Sequence, residues 1–424
     1  MTLHGALSII AKLRSGEEAN LAALLDSIES NPADNPLVPF GKIRTIHFAR
    51  FVICPAKPDV RGKIVPAQLI FTTNYDQPLA GHLKELIGQA GPGLWRVFSS
   101  CEDFPIGNYS EPLLSQFFQA NAKKANTFYV GVGNRSVEQI KLENELRTDI
   151  EHFLDLNKTR LMTMDAQQTR NEIKQYVKAN PVFSWAIQSD PLSNANYSWM
   201  KVLRLCFAIL AFLILSPILI PFIIIWFLIV LFLELTELNK SCAIDKKHLE
   251  SLLVREKGIV QNQFSAFGNV KSGWIRYRTM LFLLRLTDFL APYLFSKGSL
   301  SGIPTVHFAR WLVISEGRQM LFLSNYDGNS EGYLRDFIDI AAKQLTLLFS
   351  NTEGYPKTWL MIFGGAKDAE RFMQWARQNQ IITNVWYSAN PTVSVKNIYQ
   401  NSKIRNGLTG EMNEMEALQW LQLF

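Results

Sequence analysis

The pattern of apolar and polar positions places one long apolar run, from Leu205 to Leu233, between two flanks of mixed composition. The run contains no charged residue, and Ser216 is its only strongly polar side chain. A helix needs about 20 apolar residues to cross a bilayer, so the run is long enough to do so. We therefore predict a membrane segment between two folded, soluble flanks.

The first flank carries the periodicities of alternating strands and helices. Short β-branched and aromatic runs predict strands, whereas apolar residues three and four positions apart predict helices. The predicted order is strand Ala6–Leu13, helix Glu17–Ser30, strands Ile43–Cys54 and Ala67–Thr73, helix Leu79–Ala90 and strand Leu94–Ser99. This β-α-β-β-α-β order is that of the ferredoxin-like fold.

The second flank repeats the first in its residues as well as in its pattern. Ile43–Arg50 and Ile303–Arg310 are identical at six of eight positions, and Leu69–Pro105 aligns with Met320–Pro356 without a gap. Colinear matches of this extent indicate an internal duplication. We predict an α+β fold of two tandem ferredoxin-like repeats that form a dimeric α/β-barrel-like unit, with a central membrane helix or hairpin. The predicted divisions are a first repeat over residues 1–150, a helical connector over 151–200, the membrane segment over 201–236, a second connector over 237–262, and a second repeat with a C-terminal extension over 263–424.

Two prolines divide the apolar run into two arms. As a straight helix the run would measure about 43 Å, whereas the hydrocarbon core of a bilayer is about 30 Å thick. It is either a kinked, tilted span or a re-entrant hairpin with its tip at residues 216–221. We favour the hairpin, because the repeats pack together most simply on one side and basic residues flank both ends of the run. The residues assigned to the membrane are Leu205, Pro217, Pro221, Trp226 and Leu233.

The segment Trp274–Phe295 predicts a helix that is more apolar than its equivalent in the first flank. Its Arg276, Arg278 and Arg285 lie among Leu and Phe residues, which is typical of a helix on a membrane surface. The alternative is a core helix that packs on the sheet, and the sequence leaves both open.

Charge and cysteine usage narrow the class of protein. The net charge of +6 and the sequence pI of about 9.0 suit an anionic membrane surface. No basic cluster has the pattern of a nucleic-acid site, so we expect no nucleic-acid partner. The four cysteines lack metal-ligand spacing, which predicts reduced thiols and no metal site. The N-terminus lacks a signal-peptide pattern, so we expect a membrane protein with both soluble repeats on the cytoplasmic side.

Four pairs of polar residues keep their identity in both copies while most of their neighbours differ. We assign His47, Arg50, His307 and Arg310 as candidate catalytic residues, since an imidazole can act as a general base or haem ligand and a guanidinium can stabilise an anion. Alternation along a strand predicts that His47 and Arg50 point to opposite faces. The candidate binding residues are Asn74, Asp76, Asn325 and Asp327. A purely structural role, such as capping a turn or a helix, explains the same repetition.

Tandem ferredoxin-like units resemble the dimeric α/β-barrel superfamily, which includes dye-decolourising peroxidases, chlorite dismutases and small monooxygenases. The resemblance covers the element order of both repeats and implies a cavity that could hold haem. The GxxDG motif of the dye-decolourising peroxidases is missing, because residues 324–328 (SNYDG) share only its final Asp-Gly. The HFARW and SNYDG segments also resemble those of uncharacterised bacterial membrane-associated proteins.

These observations support two hypotheses. The first is a membrane-anchored protein that binds a lipid, a hydrophobic small molecule or a partner protein at the membrane surface, with a homo-oligomer left open. The second is a membrane-docked, haem-dependent, peroxidase-like oxidoreductase that acts on a hydrophobic substrate. The sequence does not decide whether the protein is an enzyme.

Overall fold

Two four-stranded antiparallel sheets form the centre of an α+β fold. The computed structural model describes residues 3–188, 199–237, 245–256, 260–294, 300 and 302–424. The chain divides into two units, which comprise Met1–Val137 with Val230–Val395, and Glu138–Ile229 with Lys396–Phe424. Both sheets belong to the first unit.

Each sheet takes three strands from one half of the chain and its fourth strand from the other half. The first sheet has the order β1-β3-β2-β8, and the second has the order β4-β6-β7-β5. The strands are β1 (His4–Lys12), β2 (Ile46–Cys54), β3 (Gln68–Asp76), β4 (Thr127–Val130), β5 (Gln261–Asn269), β6 (Val306–Ile314), β7 (Gln319–Asp327) and β8 (Val385–Ser388). Because β8 pairs with β2 and β4 pairs with β6, neither half completes its sheet alone.

Helices cover the outer faces of the sheets and form the second unit. They are α1 (Glu18–Glu29), α2 (Leu79–Phe98), α3 (Glu111–Asn121), α4 (Val137–Leu156), α5 (Lys158–Leu161), α6 (Ala166–Ala179), α7 (Trp199–Leu235), α8 (Lys246–Val254), α9 (Trp274–Leu294), α10 (Ser330–Phe349), α11 (Ala369–Asn379), α12 (Val395–Gly407) and α13 (Glu414–Leu421). In the second unit, α4, α6, α12 and α13 bury a core that includes Leu146, Ile173, Ile404 and Trp420.

The predicted strand Leu94–Ser99 is wrong, because α2 continues through this segment to Phe98. The Gly-Pro-Gly sequence at positions 91–93 resembles a turn, yet it lies inside the helix. A Cβ at Gly93 would lie 1.9 Å from the carbonyl oxygen of Leu37. Gly93 therefore allows the backbone at Leu37 to pack closely against α2, and it does not end the helix. In the first half, the strand that follows α2 is β4, which begins later in the chain, at Thr127.

Three apolar layers stabilise the first unit. One core lies between the first sheet and its helices, and its aromatic residues include Phe40, Phe51 and Phe71. A second core lies between the second sheet and its helices, around Trp311 and Phe322. A third cluster, of residues from both sheets, fills the space between them; it comprises Val52, Cys54, Ile70, Phe267, Leu312, Ile314, Leu321 and Leu323. The inner faces of the sheets thus pack against each other.

The apolar run forms one continuous helix, α7, that is long and apolar enough to cross a membrane. It runs through Pro217 and Pro221 without a break, so the hairpin turn that we favoured from the sequence is not present in α7. Pro217 has no N–H and cannot bond to the carbonyl of Leu213 four residues earlier. The hydroxyl of Ser216 donates to that carbonyl at 2.7 Å instead. The single polar side chain of the run thus repairs the hydrogen bond that the proline removes.

The C-terminal end of α7 is attached to the second half of the first unit. Glu234 is buried and accepts hydrogen bonds from the Thr358 hydroxyl and from the backbone N–H of Met361. Glu237, just beyond the helix, forms ion pairs with Lys271 at 2.8 Å and with Arg276 at 3.2 Å. Charged contacts therefore fix the last turn of a helix that is otherwise largely exposed.

Candidate functional site

A β-bulge in each half determines where the repeated histidines point. The register between β2 and β3 shifts between Ile46 and Phe48, so His47 is the extra residue; the same shift between β6 and β7 makes His307 the extra residue. A bulge interrupts the alternation of side chains. The expectation that His47 and Arg50 point to opposite faces is therefore wrong. The His47 ring lies 5.2 Å from Phe308 of the second sheet, and Arg50 donates to the Ser324 carbonyl of the same sheet.

Each bulged histidine binds the aspartate of the Asn-Tyr-Asp segment. His47 Nε2 lies 2.9 Å from Asp76 Oδ1, and Asp76 Oδ2 accepts the backbone N–H of Val137 at 2.9 Å. Val137 is the first residue of α4, so the carboxylate interacts favourably with the positive end of that helix.

The second half repeats this arrangement. His307 Nε2 lies 2.7 Å from Asp327 Oδ1, and Asp327 Oδ2 accepts the N–H of Val395, the first residue of α12, at 2.8 Å. The His–Asp pairs therefore join a strand bulge to a helix N-terminus in both halves.

The first half adds a third group that the sequence reasoning missed. His4 faces Asp76 across β1 and β3, and its Nε2 lies 3.8 Å from Asp76 Oδ1 and 2.9 Å from the carbonyl oxygen of Arg135. Burial, and secondly the neighbouring His47, lower the pKa of His4 to about 4. In the second half the equivalent position is Gln261. Only the strand register reveals the proximity of His4 and Asp76, because they are 72 positions apart.

The two arginines are fully buried and each reaches into the opposite sheet. Arg50 donates from Nη1 to the Phe264 carbonyl and the Ser265 hydroxyl, both at 3.1 Å. It donates from Nη2 to the Ser324 carbonyl at 2.8 Å and to Asn325 Oδ1 at 2.5 Å. These contacts engage both terminal nitrogens of the guanidinium group.

Arg310 makes the reciprocal contacts. It donates from Nη1 to the Leu7 carbonyl at 2.6 Å and the Ser8 hydroxyl at 3.0 Å, and from Nη2 to the Thr73 carbonyl at 2.8 Å. Burial lowers the pKa of both arginines to about 9, so both remain charged at neutral pH. The two guanidinium groups thus link the sheets, because each donates hydrogen bonds to oxygen atoms of the opposite sheet.

The two asparagines meet at the centre of this interface. Asn325 Nδ2 donates to Asn74 Oδ1 at 3.2 Å, and Asn325 Oδ1 also accepts the indole N–H of Trp386 at 3.0 Å. Each of the eight predicted catalytic and binding residues thus contacts another residue of its own half or of the opposite half. This geometry favours structural roles, and their catalytic and ligand-binding assignments remain predictions.

A separate apolar cavity of about 130 Å³ lies beside the second sheet, with walls from both halves of the chain. The walls come from α9, α10, β4, β6 and Leu300, which lies between α9 and β6, and they include Trp311 and Tyr129. The indole N–H of Trp311 is buried and has no hydrogen-bond partner among the described residues. No pattern in the sequence singles out this site.

The cavity corresponds to a filled position in the first half. The alignment of Ile43–Arg50 with Ile303–Arg310 places Leu300 opposite Phe40. The ring of Phe40 lies 5.6 Å from Tyr387 and 6.2 Å from Phe51, which are the counterparts of Tyr129 and Trp311. Replacement of a phenylalanine by the smaller leucine therefore accounts for space at this position.

Helix α9 combines features of both predicted alternatives. Met280 and Leu284 on one face are buried in the core, whereas Trp274 and Phe282 are about 60% exposed. Arg276 is buried and pairs with Glu237, so it does not face a membrane surface. The helix is thus a core helix with an exposed apolar side.

Comparison with known proteins adds no assignment, because no family model, curated protein or solved structure matches this chain.

Replacement of Asp327 by Asn should weaken the start of α12. The variant removes the charge that faces His307 and the helix N-terminus, which should cost about 1 to 3 kcal/mol of local stability. Hydrogen exchange should show faster exchange in the first turn of α12. Asp339→Asn, at an exposed position on α10, is the matched control. Unchanged protection of the Val395 amide in Asp327→Asn would contradict the capping role.

Proposed function

We propose that the protein is a membrane-anchored binding protein that holds a hydrophobic molecule in the cavity next to Leu300. The observation that supports this function best is the apolar cavity itself. An engineered apolar cavity of roughly 150 Å³ in another protein stays dry and binds benzene. A cavity of about 130 Å³ is suited to one ring or to the end of an acyl chain.

An unpaired polar atom of a residue that lines the cavity suggests the chemistry of the ligand. An unpaired buried N–H, such as that of Trp311, costs about 1 to 3 kcal/mol. An oxygen acceptor on the ligand would remove this cost. We therefore propose a ring or chain that carries a hydroxyl or carbonyl group, such as a long-chain alcohol or a related lipid.

The fold that we propose for this function is a pair of tandem ferredoxin-like repeats arranged as a barrel-like unit. Both halves have the strand order, the bulge and the helix-capping aspartate in common. The exchange of β4 and β8 supports an intimate pairing of the two repeats.

We propose further that both repeats lie on the same side of the membrane, on the cytoplasmic face. Strands from both halves share each sheet, whereas α7 lies between the halves in the chain. One crossing by α7 would separate the strands that pair. Arg204 before the run and Lys246 and Lys247 after it suit a cytoplasmic position for both ends. The continuous helix α7 would then lie within one leaflet.

The haem-dependent alternative has less support. Its proposed anion-binding arginines donate to carbonyl, hydroxyl and amide oxygens of the opposite sheet. Both candidate histidines bind aspartates. No observation in the described part of the chain favours haem over a hydrophobic ligand.

Leu300→Phe should fill the cavity and reduce binding at least about 10-fold, because the added ring occupies the space of the ligand. The probe is a series of linear alcohols from hexanol to hexadecanol, measured by calorimetry on the full-length protein in mild detergent. Trp311→Phe introduces the residue found at the equivalent position of the first half, Phe51. This variant should preserve the apolar wall and weaken the binding of alcohols more than the binding of alkanes of the same length.

Phe40→Leu is the matched control in the first half. It should cost about 1 kcal/mol of stability and leave alcohol binding unchanged. Full binding by a folded Leu300→Phe variant would contradict the proposed site, as would the absence of alcohol binding by the wild-type protein.

Epitope tags at the two termini should behave alike in sealed membrane vesicles. In inside-out vesicles, protease should remove both tags; in right-side-out vesicles, both should be protected. Removal of one tag and protection of the other would place the termini on opposite sides and contradict the same-side arrangement.

A further inference from the structure

We propose that His4, His47 and Asp76 form a binding site for a divalent transition-metal ion, with Zn²⁺ as the best match. Each residue offers one ligand atom, and these atoms lie within 4.8 Å of one another. Two imidazoles and one carboxylate are ligands that Zn²⁺ and its neighbours in the first transition row prefer. This inference is independent of the proposed hydrophobic ligand.

The distances are close to those of a tetrahedral site. Metal–ligand bonds of about 2.0 to 2.1 Å place neighbouring ligand atoms about 3.3 Å apart. Asp76 Oδ1 lies 2.9 Å from His47 Nε2 and 3.8 Å from His4 Nε2, so the two separations bracket this value. The His4 and His47 rings lie 5.0 Å apart between their centroids, so binding of one ion would require the two imidazoles to move relative to each other.

The surroundings prepare the aspartate to act as a ligand. The N–H of Val137 holds Asp76 Oδ2, so Oδ1 is the oxygen that faces both histidines. Such contacts to the non-ligating atom orient metal ligands in other proteins.

The second half serves as an internal reference for the role of His4. It retains the His307–Asp327 pair and the contact to α12 but has Gln261 at the position of His4. Gln261 donates to the carbonyls of Asn390 and Val393 and thus has a structural role of its own. Arg135 and Val393 each lie two residues before the capped helix, so His4 and Gln261 make equivalent contacts to a backbone carbonyl. What differs in the first half is that this residue also offers an imidazole nitrogen next to the aspartate.

The site leaves a fourth position for a further ligand. His4 Nε2 lies 2.9 Å from the carbonyl oxygen of Arg135, which the metal would displace from this nitrogen. That oxygen or a water molecule could take the fourth position. Three protein ligands with one exchangeable position are typical of zinc sites that bind water or a substrate.

Titration of the metal-free, full-length protein with Co²⁺ tests the site. The protein should carry no histidine tag, and the readout should be visible absorption in mild detergent. We expect one Co²⁺ per chain, with absorption bands that Zn²⁺ removes by competition. His4→Gln, which copies Gln261, should lower the affinity about 100-fold without loss of the fold.

His248→Gln is the matched control, because His248 bonds to the Gln380 carbonyl away from this cluster. Its affinity for Co²⁺ should equal that of the wild-type protein. The proposal is overturned if the wild-type protein binds no Co²⁺, if folded His4→Gln keeps the wild-type affinity, or if His248→Gln loses as much affinity as His4→Gln.

Discussion

The reciprocal burial of Arg50 and Arg310 is the interaction on which the rest of the structure depends. Each guanidinium group is surrounded by oxygen atoms of the opposite sheet, so each half supplies the acceptors for a charge of the other half. Removal of the partners of a buried charge costs several kcal/mol. The exchange of β4 and β8 adds a second reciprocal dependence. The two halves are therefore expected to fold together.

Because the two halves depend on each other, the arrangement of the membrane segment between them is constrained. Helix α7 lies between strands that must pair, which is why we propose that the membrane segment returns the chain to the same side. This mutual dependence also explains how the copies could diverge. Since the interface maintains the fold, a change from phenylalanine to leucine, as between Phe40 and Leu300, could open a cavity in one half. A difference such as that between His4 and Gln261 could give the other half a third metal ligand.

The sequence predicted much of the local structure and little of the site. Strands such as β1 and β2 and the start of α2 follow from periodicity, and α7 follows from its apolar length. The bulge at His47 could not be predicted, because it depends on pairing with β3. The predicted strand Leu94–Ser99 is wrong because α2 continues through Gly-Pro-Gly, where the close approach of Leu37 is a tertiary contact that the sequence does not show. The repeated His, Arg, Asn and Asp residues contact one another or the opposite sheet, but the sequence could not show this because their partners lie up to 303 positions away.

A disulfide cross-link between β2 and β8 tests the central claim most directly. Ala49 and Tyr387 lie directly opposite each other in the two strands, and opposite residues of antiparallel strands are close enough for a disulfide. With cysteine at both positions, oxidation of the protein in its membrane should yield a cross-link within one chain, identified by peptide mass analysis. A cross-link formed only between chains, or no cross-link in the folded protein, would contradict the exchange of strands within a single chain.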